Sequence, residues 1–270
     1  MSHTSLVPPA LVAASLLACA PGEGTLDVVI YGESYIEASI PADVFVDGWA
    51  LTFDRFLVSV GELTLAQAGE PEGAEEPRYQ IFDLAQPSGG AGSPVTSAQV
   101  PAGAYDGLRY HIAPAADAIA GDATEEDVQR MRDGGLSIYV EGQAERAGVV
   151  KRFAWGFATR TDYAHCKSTA VVADGGVATA QLTVHGDHLF YDDLFSPTPN
   201  VTFDLFAAAD ADADGEITRA ELEATDIRPL SNYQVGDLIE IHDLWSFLEQ
   251  QTTTIGHIDG EGHCENLRED

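Results

Sequence analysis

Hydrophobic and polar positions alternate in short runs between residues 25 and 203, and these runs are rich in Val, Ile, Phe, Tyr and Thr. A period of two, bounded by Gly, Pro and Asp, is typical of β-strands with one buried face. Many short strands separated by turns favour an antiparallel β-sandwich or barrel of the immunoglobulin-like (Ig-like) kind. The predicted strands are residues 26–31, 49–56, 57–65, 79–84, 105–113, 136–141, 149–159 and 177–185.

The pattern becomes helical after residue 200. Residues 235–250 carry apolar side chains at helical spacing, which predicts one long helix. A short helix is also predicted from Thr124 to Arg132, where Thr124 and Asp127 resemble a capping box and Gly134 ends the helix. The apolar positions of the long helix are Leu238, Ile241, Leu244, Trp245 and Leu248.

These changes divide the chain into a β domain, a helical segment and a tail without a regular period. The division predicts a β-sandwich domain over residues 25–199, a helical segment over residues 200–250 and a tail over residues 251–270. Two segments rich in Pro and Gly, residues 66–77 and 86–94, are predicted to be exposed loops.

Residues 210–221 read Asp-Ala-Asp-Ala-Asp-Gly-Glu-Ile-Thr-Arg-Ala-Glu, which matches the EF-hand calcium loop at every constrained position. Ca²⁺ prefers about six to eight oxygen ligands, and this spacing supplies carboxylates from alternate positions with a glycine at the sharp turn. EF-hands usually work in pairs, and no second loop with this spacing occurs, which favours calcium as a structural staple. The predicted ligands are Asp210, Asp212, Asp214, the main-chain carbonyl of Glu216, Thr218 and Glu221.

Acidic residues dominate the charge of the 270-residue chain, since 44 Asp and Glu against 13 Lys and Arg give a formal net charge of −31. Such a surface repels nucleic acid and anionic lipid and attracts cations. The composition therefore excludes a nucleic-acid partner and favours metal ions.

An apolar run from Leu6 to Ala18 ends at Cys19 and is followed by a stretch rich in Pro and Gly. This arrangement resembles a bacterial lipoprotein signal, although it lacks the usual Lys or Arg near the start. We expect a signal peptide over residues 1–18, lipidation at Cys19 and a tether over residues 19–24. The protein would then be exported to the cell envelope, as an outer-membrane or periplasm-facing lipoprotein anchored by lipid alone.

Two further cysteines, Cys166 and Cys264, remain once Cys19 is assigned to lipidation. In an oxidising compartment two such thiols usually form a disulfide. The alternative is that both thiols bind a metal ion.

Histidines are concentrated in two places, at the end of the last predicted strand and in the tail. Because His165 precedes Cys166 and His263 precedes Cys264, a disulfide would bring these two histidines together. Imidazole binds Cu²⁺ and Zn²⁺, and a carboxylate can complete either shell. Ordinary polar surface is the alternative reading. The candidate ligands for copper or zinc are His165, His185, Asp187, His188, His257 and His263.

Two segments resemble known exported proteins. The run Gln99-Val-Pro-Ala-Gly-Ala-Tyr105 resembles the strand entry of exported bacterial β-sandwich lipoproteins. Residues 153–157, His165-Cys166 and residues 185–190 together resemble the methanobactin-associated periplasmic copper-binding proteins, over about residues 25–195. That resemblance implies copper binding by histidines and an aromatic residue, here Trp155. The chain lacks the family's cysteine-rich pattern, and its EF-hand loop looks like an addition.

The sequence thus favours an exported metal-binding protein with one calcium site and a second site for copper or zinc. An alternative is a structural or adhesive surface protein in which calcium is a staple only. A third is a metal-dependent hydrolase, because His185-x-Asp187-His188 resembles a fragment of binuclear hydrolase motifs. The further ligands of those motifs and other catalytic signatures are missing, so we expect no enzyme.

Overall fold

The computed structural model describes residues 22–67 and 73–268, and the chain it shows is mostly β. The expected signal peptide and Cys19 lie outside the described residues. The longest strand, β2 (Ala50–Ala66), joins two predicted strands into one of 17 residues, with a register shift between Phe53 and Arg55. The other strands are β1 (Glu23–Tyr31), β3 (Gly73–Glu76), β4 (Gln80–Asp83), β5 (Ser93–Pro101), β6 (Gly103–Tyr105), β7 (Gly107–Ile112), β8 (Ile119–Ala120), β9 (Ile138–Arg146), β10 (Val149–Phe157), β11 (Thr161–Cys166), β12 (Ala170–Val172), β13 (Val177–Val184), β14 (Glu216–Ile217), β15 (Gly256–Ile258) and β16 (Glu265–Arg268).

Most of these strands belong to two sheets. The smaller has the order β15-β13-β1-β5, and the larger has the order β14-β10-β9-β2-β7-β11-β16. Strands β3 and β4 also pair with β2, β8 pairs with β4, and β12 and β6 form a separate ribbon. Pairing is largely antiparallel, but β1 runs parallel to β13, β14 to β10 and β8 to β4. The first two of these parallel pairs lie next to candidate metal ligands.

Alternation along β1 shows why the small sheet forms. Leu26, Val28 and Ile30 are buried, and the residues between them are partly exposed. The buried side chains join one hydrophobic core that contains residues of both sheets and also Phe203 and Phe206. The C-terminal segment therefore packs on the same core as the strands.

The helices are short. Thr124 caps α2 (Glu125–Gly134) by accepting a hydrogen bond from the Asp127 amide at 3.2 Å, and Gly135 ends that helix with φ of 58°. The predicted helix is confirmed, but it includes Gly134 and ends at Gly135 instead. The helices are α1 (Glu33–Glu37), α2 (Glu125–Gly134), a 3₁₀ helix (Asp187–Phe190), α3 (Asp204–Ala209), α4 (Arg219–Ala224) and α5 (Leu244–Gln251).

The predicted long helix over residues 235–250 is wrong in its first half. Helix α5 begins at Leu244 because Asp243 caps it, accepting from the Ser246 amide at 2.9 Å. The Leu244 amide donates to the Thr225 carbonyl, and the Ile227 amide donates to the His242 carbonyl. These long-range bonds replace the helical bonds that residues 235–243 would otherwise make.

The tail forms two short strands, and a disulfide holds it. Cys166 and Cys264 are bonded, with Cα atoms 4.2 Å apart, so the predicted disulfide is confirmed and metal binding by both thiols is excluded. Strand β15 pairs with β13, and β16 pairs with β11. Within the described residues, none of the helices has the length and apolar character needed to cross a membrane.

Candidate metal centres

Three histidines converge where β13 ends. His185 follows β13, His188 lies in the 3₁₀ helix, and His257 lies in β15 opposite Thr183 of β13. One ligand nitrogen from each ring lies within 4.8 Å of the others. The ring centroids of His185 and His257 are 4.2 Å apart, and His188 is 5.2 Å from His185 and 5.1 Å from His257. We call His185, His188 and His257 the three-histidine cluster.

A tight turn at Gly186 joins the end of β13 to the 3₁₀ helix. His185 lies just before this turn, and His188 lies in the helix. A Cβ atom on Gly186 would lie only 2.7 Å from Ile36 Cγ1, so the tight packing of this turn requires glycine. The amide of His185 donates to the Ile255 carbonyl at 2.9 Å, which fixes the turn against the segment leading into β15.

The cluster is buried, and two of its rings have strongly lowered pKa values. Burial lowers the pKa of His188 to about 4, and the neighbouring His185 lowers it further. Burial lowers the pKa of His257 to about 3, with contributions from His185, His188 and His263. Both rings are therefore neutral at pH 7, and each keeps a nitrogen lone pair that can bind a metal ion.

Hydrogen bonding differs among the three rings. His188 Nδ1 lies 3.1 Å from Thr254 Oγ1, which leaves Nε2 of that ring for a ligand. His257 is only 5 % exposed, and its buried Nδ1 has no hydrogen-bond partner. A buried polar atom without a partner costs about 1–3 kcal/mol, and a bound metal ion would remove that cost.

Acidic side chains surround His185. Its Nε2 lies 3.6 Å from Glu33 Oε1, and Glu33, His185 and Glu261 offer ligand atoms within 4.8 Å of one another. Glu33 has a left-handed backbone with φ of 53°, a conformation that costs a non-glycine residue about 1–2 kcal/mol. Burial raises the pKa of Glu33, and so do the charges of Glu261 and Asp187, while His185 lowers it.

Asp187 extends this acidic side. It is 9 % exposed, and its Oδ1 has no hydrogen-bond partner, whereas its Oδ2 accepts from the Tyr191 hydroxyl at 3.0 Å. Burial raises the pKa of the Asp187 carboxyl. The ring of Tyr191 in turn lies 4.6 Å from that of His188, centroid to centroid.

The other predicted transition-metal ligands have different surroundings. His263 is exposed, and its ring is 5.3 Å from that of His257, which places it at the rim of the cluster. His165 is also exposed, and its Nδ1 lies 2.8 Å from Glu265 Oε2. The disulfide thus forms as predicted, but the contact that the structure gives His165 is with Glu265, not with His263.

Sequence reasoning missed Glu33, Thr254 and Tyr191. Glu33 lies far from the histidines in the sequence, and no local pattern marks it. Thr254 contacts His188 through its hydroxyl, and Tyr191 contacts it through its ring. Only the folded chain creates these contacts.

The acidic loop at residues 210–221 forms the second candidate centre. Carboxylate oxygens of Asp210, Asp212 and Glu221 lie within 4.8 Å of one another. Gly215 has φ of 89°, as the turn requires. Asp214 Oδ1 accepts from the Glu216 amide at 2.8 Å, so this carboxylate is used within the loop. Helices α3 and α4, of six residues each, flank the loop.

Glu221 closes the loop on itself. Its Oε1 accepts from the Ala211 amide at 2.9 Å, and its Oε2 accepts from the Thr218 amide at 2.9 Å. Thr218 caps α4 by accepting from the Glu221 amide, which completes a capping box. These hydrogen bonds lower the pKa of the Glu221 carboxyl.

The loop also has a partner on the larger sheet. Its central residues form β14, which pairs in parallel with Arg152 and Phe153 of β10. Trp155 Nε1 donates to the Ile217 carbonyl at 2.8 Å. Strand β10 thus holds the acidic loop against the larger sheet. Trp155 stacks on Phe153, 4.4 Å between centroids, so this aromatic residue supports the loop.

Searches against protein-family models, curated proteins and solved structures return no match to this chain. The function is therefore inferred from the geometry of the two candidate metal centres.

Proposed function

We propose that this protein binds a transition metal ion, Cu²⁺ or Zn²⁺, at the three-histidine cluster. The observation that carries the proposal is the convergence of three imidazoles, with His257 Nδ1 buried and unpartnered. Neutral imidazole suits both ions, and three protein ligands leave a fourth position for water or another ligand. The contact between His188 and Thr254 is the kind of outer hydrogen bond that orients a ligating histidine.

Metal analysis with matched histidine variants tests this function. Protein purified without added metal is dialysed against Zn²⁺ or Cu²⁺, with excess Ca²⁺ to occupy the acidic loop, and the bound metal is measured. His257→Ala should lower the affinity at least tenfold, whereas the exposed His242→Ala should leave it unchanged. Equal affinity in wild type and His257→Ala would refute the proposal.

We also propose that residues 210–221 bind one Ca²⁺ ion in the manner of an EF-hand. The match of the sequence to the motif supports this, as does the proximity of the Asp210, Asp212 and Glu221 carboxylates. Calorimetric titration of Glu221→Gln should show calcium affinity at least tenfold weaker, because the twelfth loop position supplies two oxygens. Glu223→Gln, two residues further along α4, is the control.

The scaffold we infer is a β-sandwich whose two sheets share one core, with the calcium loop fixed to the edge strand β10. Because the loop makes its contacts with the sheet, calcium acts here as a staple for the C-terminal segment. A protein that binds calcium but neither copper nor zinc would fit the alternative, a structural or adhesive surface protein.

We further propose that the protein is exported and lipid-anchored through Cys19. The disulfide between Cys166 and Cys264 supports an oxidising compartment. Mass spectrometry of the mature N-terminus in the native host tests both parts. An intact Met1 would refute export, and an unacylated terminus at or after residue 19 would refute the anchor alone.

A further inference from the structure

Two sets of metal-ligand atoms share His185. One is the three-histidine cluster, and the other consists of Glu33, His185 and Glu261. Within each set the ligand atoms lie within 4.8 Å of one another. The two sets are separate groups that have only His185 in common. His185 Nε2 faces the acidic set, at 3.6 Å from Glu33 Oε1.

Bond lengths favour two positions for metal ions. Zinc binds nitrogen and carboxylate oxygen at about 2.0–2.2 Å, so two ligands of one ion lie at most about 4.4 Å apart. A neutral imidazole has a free lone pair on one nitrogen only, since the other nitrogen carries a proton. When that proton is released to water, the imidazolate can bind a different ion at each nitrogen. His185 therefore has the chemistry to join one ion held by the histidines to another held by the carboxylates.

The charges on the acidic side lack a fixed cationic partner. Within residues 22–67 and 73–268, neither Lys nor Arg forms an ion pair with Glu33, Asp187 or Glu261. Burial of a carboxylate is costly unless a cation or several hydrogen bonds compensate it. Glu33 is partly buried and Glu261 is exposed, so a divalent cation between them would compensate mainly the burial of Glu33.

Asp187 gives an independent sign of a ligand at this place. Its side chain is more than nine-tenths buried, and its Oδ1 has no hydrogen-bond partner. It lies close enough to Glu33 and His185 for their charges to interact. Asp187 thus adds negative charge beside the Glu33, His185 and Glu261 group, although it is not itself one of the three residues whose ligand atoms converge.

We propose that a second divalent cation binds on the acidic side of His185, held by Glu33 and Glu261, with His185 bridging the two ions. This inference rests on the proposed three-histidine metal site. One imidazole and two carboxylates suit Zn²⁺ better than a softer ion such as Cu⁺. Asp187 is positioned to bind this ion directly or through water.

Zinc stoichiometry tests the proposal. Wild-type protein, with excess Ca²⁺ present to occupy the acidic loop, should bind two Zn²⁺ ions per chain in equilibrium dialysis. Glu33→Gln combined with Glu261→Gln should bind one. The matched control combines Glu23→Gln with Glu75→Gln, which removes two exposed carboxylates elsewhere and should still bind two.

Each other outcome is decisive. One Zn²⁺ in the wild type would overturn the second ion and leave the three-histidine site standing, with Glu33 reduced to orienting His185. Two ions in the Glu33/Glu261 double variant would place the second ion elsewhere and also overturn the proposal. If His188→Ala combined with His257→Ala still bound two ions, the three-histidine site itself would fail. Circular dichroism spectra and thermal melting of every variant establish that each is folded.

Discussion

The ammonium group of Lys151, on β10, contacts the carboxylate of Asp210, the first residue of the calcium loop. Both side chains are largely buried, with Asp210 fully so and Lys151 15 % exposed. The contact lowers the pKa of the Asp210 carboxyl. An ammonium group and Ca²⁺ repel each other at a shared carboxylate, so Lys151 would compete with the proposed calcium ion.

Replacing Lys151 should therefore strengthen calcium binding. We expect Lys151→Met to lower the calcium dissociation constant about tenfold, which corresponds to about 1.4 kcal/mol. Calorimetric titration measures the change, and Lys167→Met, at an exposed lysine outside the loop, is the control. Unchanged or weaker affinity in Lys151→Met would show that the lysine does not oppose the ion.

His165 should be dispensable for transition-metal binding. Its ring is exposed and paired with Glu265, and it lies outside the three-histidine cluster. We expect His165→Ala to bind Zn²⁺ with wild-type affinity, whereas His188→Ala should bind at least tenfold more weakly. A competition titration with a chromophoric chelator compares the variants. If both variants lost Zn²⁺ affinity equally, His165 would be a metal ligand.

The disulfide between Cys166 and Cys264 should contribute strongly to stability. The two residues are 98 apart in sequence, and the chain-entropy model gives about 4.7 kcal/mol for a loop of about 100 residues. We expect the Cys166→Ser/Cys264→Ser double variant to lose about 3–5 kcal/mol in urea unfolding. A loss below about 1 kcal/mol would mean that the strands hold the tail without the link.

The metal-free protein should lose stability in mild acid. The folded pKa values of His188 and His257, about 4 and about 3, lie below the unfolded value near 6.5. The unfolded chain therefore binds more protons below pH 6.5, and the free energy of unfolding falls as the pH drops towards those folded values. Between pH 6.5 and 5.5 each histidine should cost about 1 kcal/mol, since one pKa unit corresponds to about 1.4 kcal/mol.

Neighbouring groups limit the useful pH range. The raised pKa values of Asp187 and Glu33 have the opposite effect, because these carboxyls take up protons in the folded state first as the pH falls. Urea unfolding with a chelator present is therefore measured above pH 5.5. His188→Gln combined with His257→Gln should flatten the slope, and an unchanged slope would assign it to other groups.

The sequence by itself determined the features whose causes are local. The EF-hand pattern is readable because all its constrained positions fall within residues 210–221, while calcium binding itself stays a prediction. The cap of α2 is readable because Thr124 and Asp127 are three residues apart. The strands follow from alternation along each run, as in β1. The two cysteines left after Cys19 allowed a disulfide or a shared metal ion, and the structure shows the disulfide.

Only the tertiary structure decided which distant residues meet. Residues 235–243 have helical periodicity, yet Asp226 and Asp243 form an isolated antiparallel β-bridge, and this long-range pairing overrides the local preference. His257 reaches His185 because β15 adds to β13, and Glu33 reaches it because β1 runs parallel to β13 and delivers α1 to the same end. Sequence spacing carries no information on such pairings, because the hydrogen bonds that fix them join segments far apart in the chain.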